Sequence, residues 1–212
     1  SIGTLTDIDG NVYQTITIGA QEWMMENLKV THYRDGTAIT NVTDDLSWID
    51  LSTAAYCIYN NNTSNEVDIY GALYNWYAID DSRNLAPEGW HVPTDDEWKE
   101  LETYLGMSQT EADASISWRG TNEGSKLAGN SDLWNDGALK EDPAFSSSGF
   151  NALPSGYRDH SSGLYEDLNA VTLFWAGASG SGWSRRLNYP RSEIYRGTDA
   201  LRMGFSIRCI KD

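Results

Sequence analysis

The segment 93–106 constrains this chain more than any other. Thr94 is a helix N-cap and Glu97 stands three residues on, the pattern of a reciprocal capping box. Trp98, Leu101 and Leu105 then recur at helical spacing, and Gly106 closes the run. The spacing predicts a helix over about 95–105 with an inward apolar stripe. A second helix is expected over 70–79, where Leu73, Trp76 and Tyr77 lie at i, i+3 and i+4 and Trp76 should enter the core.

The remainder is short and punctuated. Asp9-Gly10-Asn11 is hairpin chemistry, because Gly and Asn tolerate positive φ, and it joins strand-like runs within 5–18. Residues 23–28 form another short apolar run. Residues 31–68 carry Asn60-Asn61-Asn62 without periodicity and read as loop with short elements. Residues 107–148 are rich in Gly, Ser, Asn and Asp, a coil so long that its own Trp118, Trp134 and Phe145 must pack it. Short strands are expected at about 150–158, 171–176, 183–189, 193–196 and 204–210. There is no internal repeat and no linker. The expectation is therefore one α+β domain over 1–212, with two helices, a twisted antiparallel sheet and long packed loops.

Charge is distributed unevenly. Residues 183–212 hold Arg185, Arg186, Arg191, Arg196, Arg202, Arg208 and Lys211 against Glu193, Asp199 and Asp212, so the segment is +4 in a chain of −16. Two readings are open. The arginines pair with the acidic body, or they mark an interaction surface. A net charge of −16 argues against nucleic acid or an anionic membrane as the main partner and suits a self-repelling, exported protein. No stretch approaches the ~20 apolar residues of a membrane span. Ser1-Ile2-Gly3-Thr4 carries no signal-peptide pattern, so the chain reads as starting inside a domain or at a processed end. Nine Trp and twelve Tyr exceed what one core needs, so some should lie at the surface, where interfaces favour them.

Catalytic patterns are sparse. His32, His91 and His160 lie far from one another and from cysteine, which leaves no zinc spacing. Ser155 lacks the flanking glycine of a nucleophile elbow. Asp95-Asp96 sits in the first turn of a helix, where acids offset the dipole. Gly89, Trp90 and Pro93 read as structural, and His91 as a packed or hydrogen-bonded residue. Asp7, Asp9 and Asn11 offer hard oxygens around Gly10 and are the weak calcium candidates, with a plain hairpin turn the stronger reading. No other cofactor is expected. Cys57 and Cys209 permit one disulfide or two buried thiols.

Several segments together resemble one family. They are Asp9-Gly10-Asn11-Val12-Tyr13, Trp23-Met24-Met25-Glu26-Asn27-Leu28, Tyr70-Gly71-Ala72-Leu73-Tyr74-Asn75-Trp76-Tyr77-Ala78, Pro87-Glu88-Gly89-Trp90-His91-Val92-Pro93-Thr94, Gly149-Phe150-Asn151-Ala152-Leu153-Pro154-Ser155-Gly156-Tyr157-Arg158 and Gly204-Phe205-Ser206-Ile207-Arg208-Cys209. Nearly the whole chain resembles the Fibrobacter succinogenes major paralogous domain, common in exported Bacteroidetes and Fibrobacter proteins. The resemblance implies a fold related to C-type lectins and the formylglycine-generating enzyme. Relatives often have a cysteine where this chain has Ala86, which leaves Cys57–Cys209 as the pairing open to it.

The tail resembles the variable region of proteins diversified by retroelements on a C-type-lectin scaffold. What that implies is a ligand-binding segment over about 183–203. It would use Trp183, Ser184, Arg186, Tyr189, Arg191, Glu193, Thr198, Asp199, Leu201, Arg202 and Met203 on one exposed face. The functional expectation is an extracellular or cell-surface adhesion module, on a pilus or a lipoprotein, that binds a protein or glycan and is not an enzyme. The alternatives are a carbohydrate-binding module stacking Trp183 or Trp175 on sugars and, behind it, a formylglycine-generating type of enzyme. That chemistry relies on reactive cysteines or copper.

Overall fold

The capping box closes in both directions. Thr94 Oγ1 accepts from the Glu97 N–H at 3.2 Å, and Glu97 Oε2 accepts from the Thr94 N–H at 2.7 Å. The resulting helix, Asp95–Tyr104, buries Trp98 and Leu101. A computed structural model describes residues 2–62, 66–177 and 182–212.

In chain order the early strands are β1 (Ile2–Thr6), β2 (Val12–Ile18), β3 (Gln21–Met24), β4 (Thr40–Asn41), β5 (Ala55–Cys57), β6 (Leu73–Tyr74) and β7 (Trp90–His91). The later ones are β8 (Ser117–Arg119), β9 (Ser155–Arg158), β10 (Tyr165–Leu168), β11 (Val171–Ala176), β12 (Trp183–Asn188), β13 (Ile194–Thr198) and β14 (Ile210–Lys211). The helices are α1 (Asp45–Ile49), α2 (Glu66–Tyr70), α3 (Trp76–Ile79), α4 (Asp95–Tyr104), α5 (Gln109–Asp113), α6 (Glu123–Leu127) and α7 (Ala138–Glu141).

This corrects the expected fold class. Among the described residues there are seven α-helices and three sheets, ordered β1-β2-β3-β14-β7, β10-β9-β11-β12-β13-β8 and β4-β5-β6. Two pairings, β4 with β5 and β9 with β11, are parallel. That is not the two-helix, simple antiparallel architecture of the C-type-lectin-like expectation.

Two local misreadings account for much of the difference. The helix expected over 70–79 is broken at Gly71, whose φ is +73°. A Cβ there would lie 2.7–2.9 Å from the backbone and side chain of Asn27 and Leu28. The chain then runs as β6 before Asn75 caps α3 through the Ala78 N–H. Residues 70–76 are all buried, so their apolar spacing carried no face information. The expected coil over 107–148 contains α5, α6, α7 and β8. Its first helix starts with a second capping box, Ser108 with Glu111.

β11 is the centre of the molecule because it is buried on both faces. Leu173 and Trp175 join one apolar cluster with Trp76, Tyr74 and Phe205, while Phe174 and Ala176 join another with Trp23, Trp98 and Phe150. A third cluster gathers Trp48, Cys57 and Tyr59. The strand expected over 204–210 is instead a connecting thread. It touches Tyr74, Arg158 and Phe174 by single bridges and ends as β14, between β3 and β7.

Candidate functional site

Strand alternation sends neighbouring side chains to opposite faces of a sheet. Arg185 and Arg186, adjacent on β12, therefore meet different surroundings. Arg185 pairs in register with Arg196 of β13, and Arg186 with Tyr195, which itself faces Trp118 of β8.

The Arg185 face packs under α4 and α5 and is ionic. Arg185 donates from Nε to Glu102 at 2.6 Å and from Nη1 to Asp95 at 2.8 Å. Arg196 donates to both Asp95 oxygens at 2.9 and 2.7 Å. Arg119 forks onto Glu102 at 2.9 and 2.7 Å. Arg119 and Arg196 also satisfy the carbonyls of Ala112, Asp113 and Ala114 where α5 ends. Burial would raise the Asp95 carboxyl, but the hydrogen bonds and charges of Arg196 and Arg185 outweigh it and hold Asp95 well below the usual carboxylate range. Arg208 is likewise internal, donating to Asn27, Met24, Phe150 and Asn151, and burial pushes its guanidinium down to about 9. For Arg185 and Arg196, pairing with the acidic body is the correct reading.

The Arg186 face differs. Arg186 lies 5.5 Å from the Tyr195 ring, and Tyr195 meets Trp118 edge-to-face at 5.5 Å. Arg191, from the turn after β12, lies 5.0 Å from the Trp118 ring. Both guanidiniums approach carboxylates only at long range, Arg186 to Asp199 at 4.0 Å and Arg191 to Glu193 at 3.9 Å. Among the described residues neither donates a hydrogen bond to protein. The other arginines of the chain, 34, 83, 119, 158, 185, 196, 202 and 208, all do. Arg186 Nε and Asn188 Oδ1, two positions apart on β12, are shielded from solvent without a partner. Farther along the same side, Tyr157 of β9 donates to Glu166 of β10 at 3.0 Å. The row is half-exposed at Trp118, Tyr195, Arg186, Tyr157 and Glu166.

The expected single face of eleven residues is divided. Arg186 and Arg191 are on the open side with Glu193. Ser184 is buried there and donates to Asp199 at 2.5 Å. Trp183 and Thr198 pair in register on the opposite side, with Arg196 stacked 4.0 Å from the Trp183 ring. Tyr189 packs against the cluster around Trp98. Leu201 leans on the cluster around Trp76, Arg202 donates to the Ile49 carbonyl, and Met203 is buried with its sulfur 3.2 Å from His160 Nδ1. The expectation of a retroelement-diversified segment on a C-type-lectin scaffold is corrected by the seven helices and three sheets among the described residues. Trp175 is fully buried and has no access to a sugar. Trp118, Tyr195 and Asn188 were missing from the expected set. Alternation of Arg185 and Arg186 against Ile194-Tyr195-Arg196 was the available signal for Tyr195, whereas the three-residue β8 carries too short a pattern to expose Trp118.

The calcium candidates are engaged by the fold. Asp7 accepts from the Asp9 and Asn11 N–H groups at 3.0 and 2.9 Å, from Asn11 Nδ2 at 2.9 Å and from the Tyr13 hydroxyl at 2.7 Å. Asp9 accepts from Thr31 and His32. Asp7 and Asp9 are therefore tied to protein donors in a hairpin loop, and Asn11 is one of the donors to Asp7. Among the described residues no group of three or more His, Cys, Asp or Glu is arranged for a metal ion.

The Cys57–Cys209 pairing is not formed. Both thiols are free and buried in different clusters, and burial pushes Cys57 up to about 11 and Cys209 higher still. Activated cysteines are shifted the other way. His91 is clamped between Asp212 at 2.7 Å and Glu97 at 2.8 Å. A carboxylate only accepts, so both ring nitrogens donate. Burial would lower the imidazole, but these two partners outweigh it and raise it above the ordinary value. Among the described residues no helix is long and apolar enough to cross a membrane.

Residues 16–211 match the sequence model of the Fibrobacter succinogenes major domain. The chain belongs to that family. The match takes in the whole of β12, β13 and β8, so the open face is built entirely from family sequence. No curated protein and no solved structure matches the chain.

Proposed function

We propose that this chain is a ligand-binding, adhesive module of an exported or cell-surface protein, and that it holds a protein or glycan target on the face carrying Arg186 and Arg191. One observation carries the reading. Among the described residues eight arginines donate side-chain hydrogen bonds to protein, and the two that do not, each with only a long ion pair, stand together over one aromatic pair. A guanidinium is a five-donor fork whose hydrogen bonds are normally made. Stacked on a ring, it keeps its planar edge presented while its position is fixed. Arg, Trp and Tyr are also the residues on which binding energy concentrates.

The test compares wild type with an Arg186→Ala/Arg191→Ala double variant on one panel of immobilised glycans and surface proteins. The variant should melt like wild type and lose whatever ligand wild type captures. A ligand held with equal affinity by both would show that the binding face lies elsewhere.

A further inference from the structure

The chemistry of this face narrows the ligand class. Arg186 and Arg191 are part-exposed guanidiniums, a group that matches carboxylates by parallel hydrogen bonds. Carboxylates of the protein are interspersed with them: Asp199 and Glu193 at 4.0 and 3.9 Å, and Glu166 beyond Tyr157. The same acids are hydrogen-bond acceptors, which call for ligand hydroxyls. Tyr195 and Trp118 are half-exposed and offer ring edges and faces beside the cations. A carboxylate on each sugar, many hydroxyls and apolar C–H surface occur together in a polysaccharide of uronic acids.

We infer that the ligand of this face is an acidic polysaccharide whose sugar carboxylates pair with Arg186 and Arg191 while its hydroxyls donate to Glu166. This rests on the reading that the face is the binding site. An acidic peptide would satisfy the cations but supplies few hydroxyls for the acceptors, and it serves as the competing outcome.

The experiment is a calorimetric titration of the full chain with oligomers of galacturonate and of alginate. Carboxyl-reduced forms of the same oligomers and a poly-glutamate peptide of equal charge are titrated in parallel. Each probe is also offered to the Arg186→Ala/Arg191→Ala variant, with its fold checked by circular dichroism. A uronate oligomer should bind, and its carboxyl-reduced form should bind roughly tenfold or more weakly, the loss expected for a charge-assisted hydrogen bond. The double variant should show a similar loss, and added salt should weaken wild-type binding. The acidic-glycan assignment is overturned if neither uronate binds, if the reduced forms bind as well, or if poly-glutamate binds in preference. If the preferred probe in those last two cases is still lost in the double variant, the face stands as the site and only the ligand class falls. If a uronate binds wild type and double variant alike, the face itself is the wrong site.

Discussion

Glu102 accepts from Arg119 and Arg185 at a point where all three side chains are out of contact with water. Glu102→Ala would leave two buried guanidiniums without their shared anion. Removing one partner of a buried pair costs about 3–5 kcal/mol. Urea unfolding should show a loss of that size, and a change under about 1 kcal/mol would mean that water or another acid reaches the site. His91 gives a pH prediction of opposite character. Its folded value is raised, so the Asp212–Glu97 clamp contributes fully below the ordinary histidine value of about 6.5. The contribution fades as pH rises through the higher folded value. The melting-temperature gap between wild type and His91→Gln should therefore be largest near pH ~5.5 and shrink in mildly alkaline buffer. A gap that widened with pH would contradict the clamp.

Elements were legible where a local chemical device sets them. The capping box at Thr94 announces α4, and Asp9-Gly10-Asn11 announces the β1–β2 hairpin. Thr94→Ala should cost about 1 kcal/mol by freeing the end of α4. An unchanged unfolding midpoint would show that packing of Trp98 alone sets that end. Elements were illegible where burial is complete. At 70–76 every position is inside, so neither helical nor strand period survives, and Gly71 was the one mark of the break. β11 is the opposite case, a continuous buried run of six that could be placed but whose central position depends on distant partners. Trp175 lies 4.5 Å from the Phe205 ring and 5.4 Å from Trp76. Trp175→Ala should cost about 3–5 kcal/mol, read as a lower unfolding midpoint. A loss below about 1 kcal/mol would remove β11 from the centre of the account.

At the scale of the whole molecule, the basic tail serves two ends. β12 and β13 present one face to α4 and α5, where Arg185 and Arg196 neutralise Asp95 and Glu102. They present the other to solvent, where Arg186 and Arg191 stand over Tyr195 and Trp118. Charge asymmetry along the sequence located the segment. It could not divide the arginines, because the division depends on α4, some 80 residues earlier in the chain, covering one side of the sheet. The tail is therefore both core and surface. Equilibrium urea unfolding of Arg185→Ala beside Arg186→Ala tests this most directly. The account predicts a loss of about 3–5 kcal/mol for the first and under about 1 kcal/mol for the second. Equal losses would mean that Arg186 is engaged by the fold and is not held for a ligand.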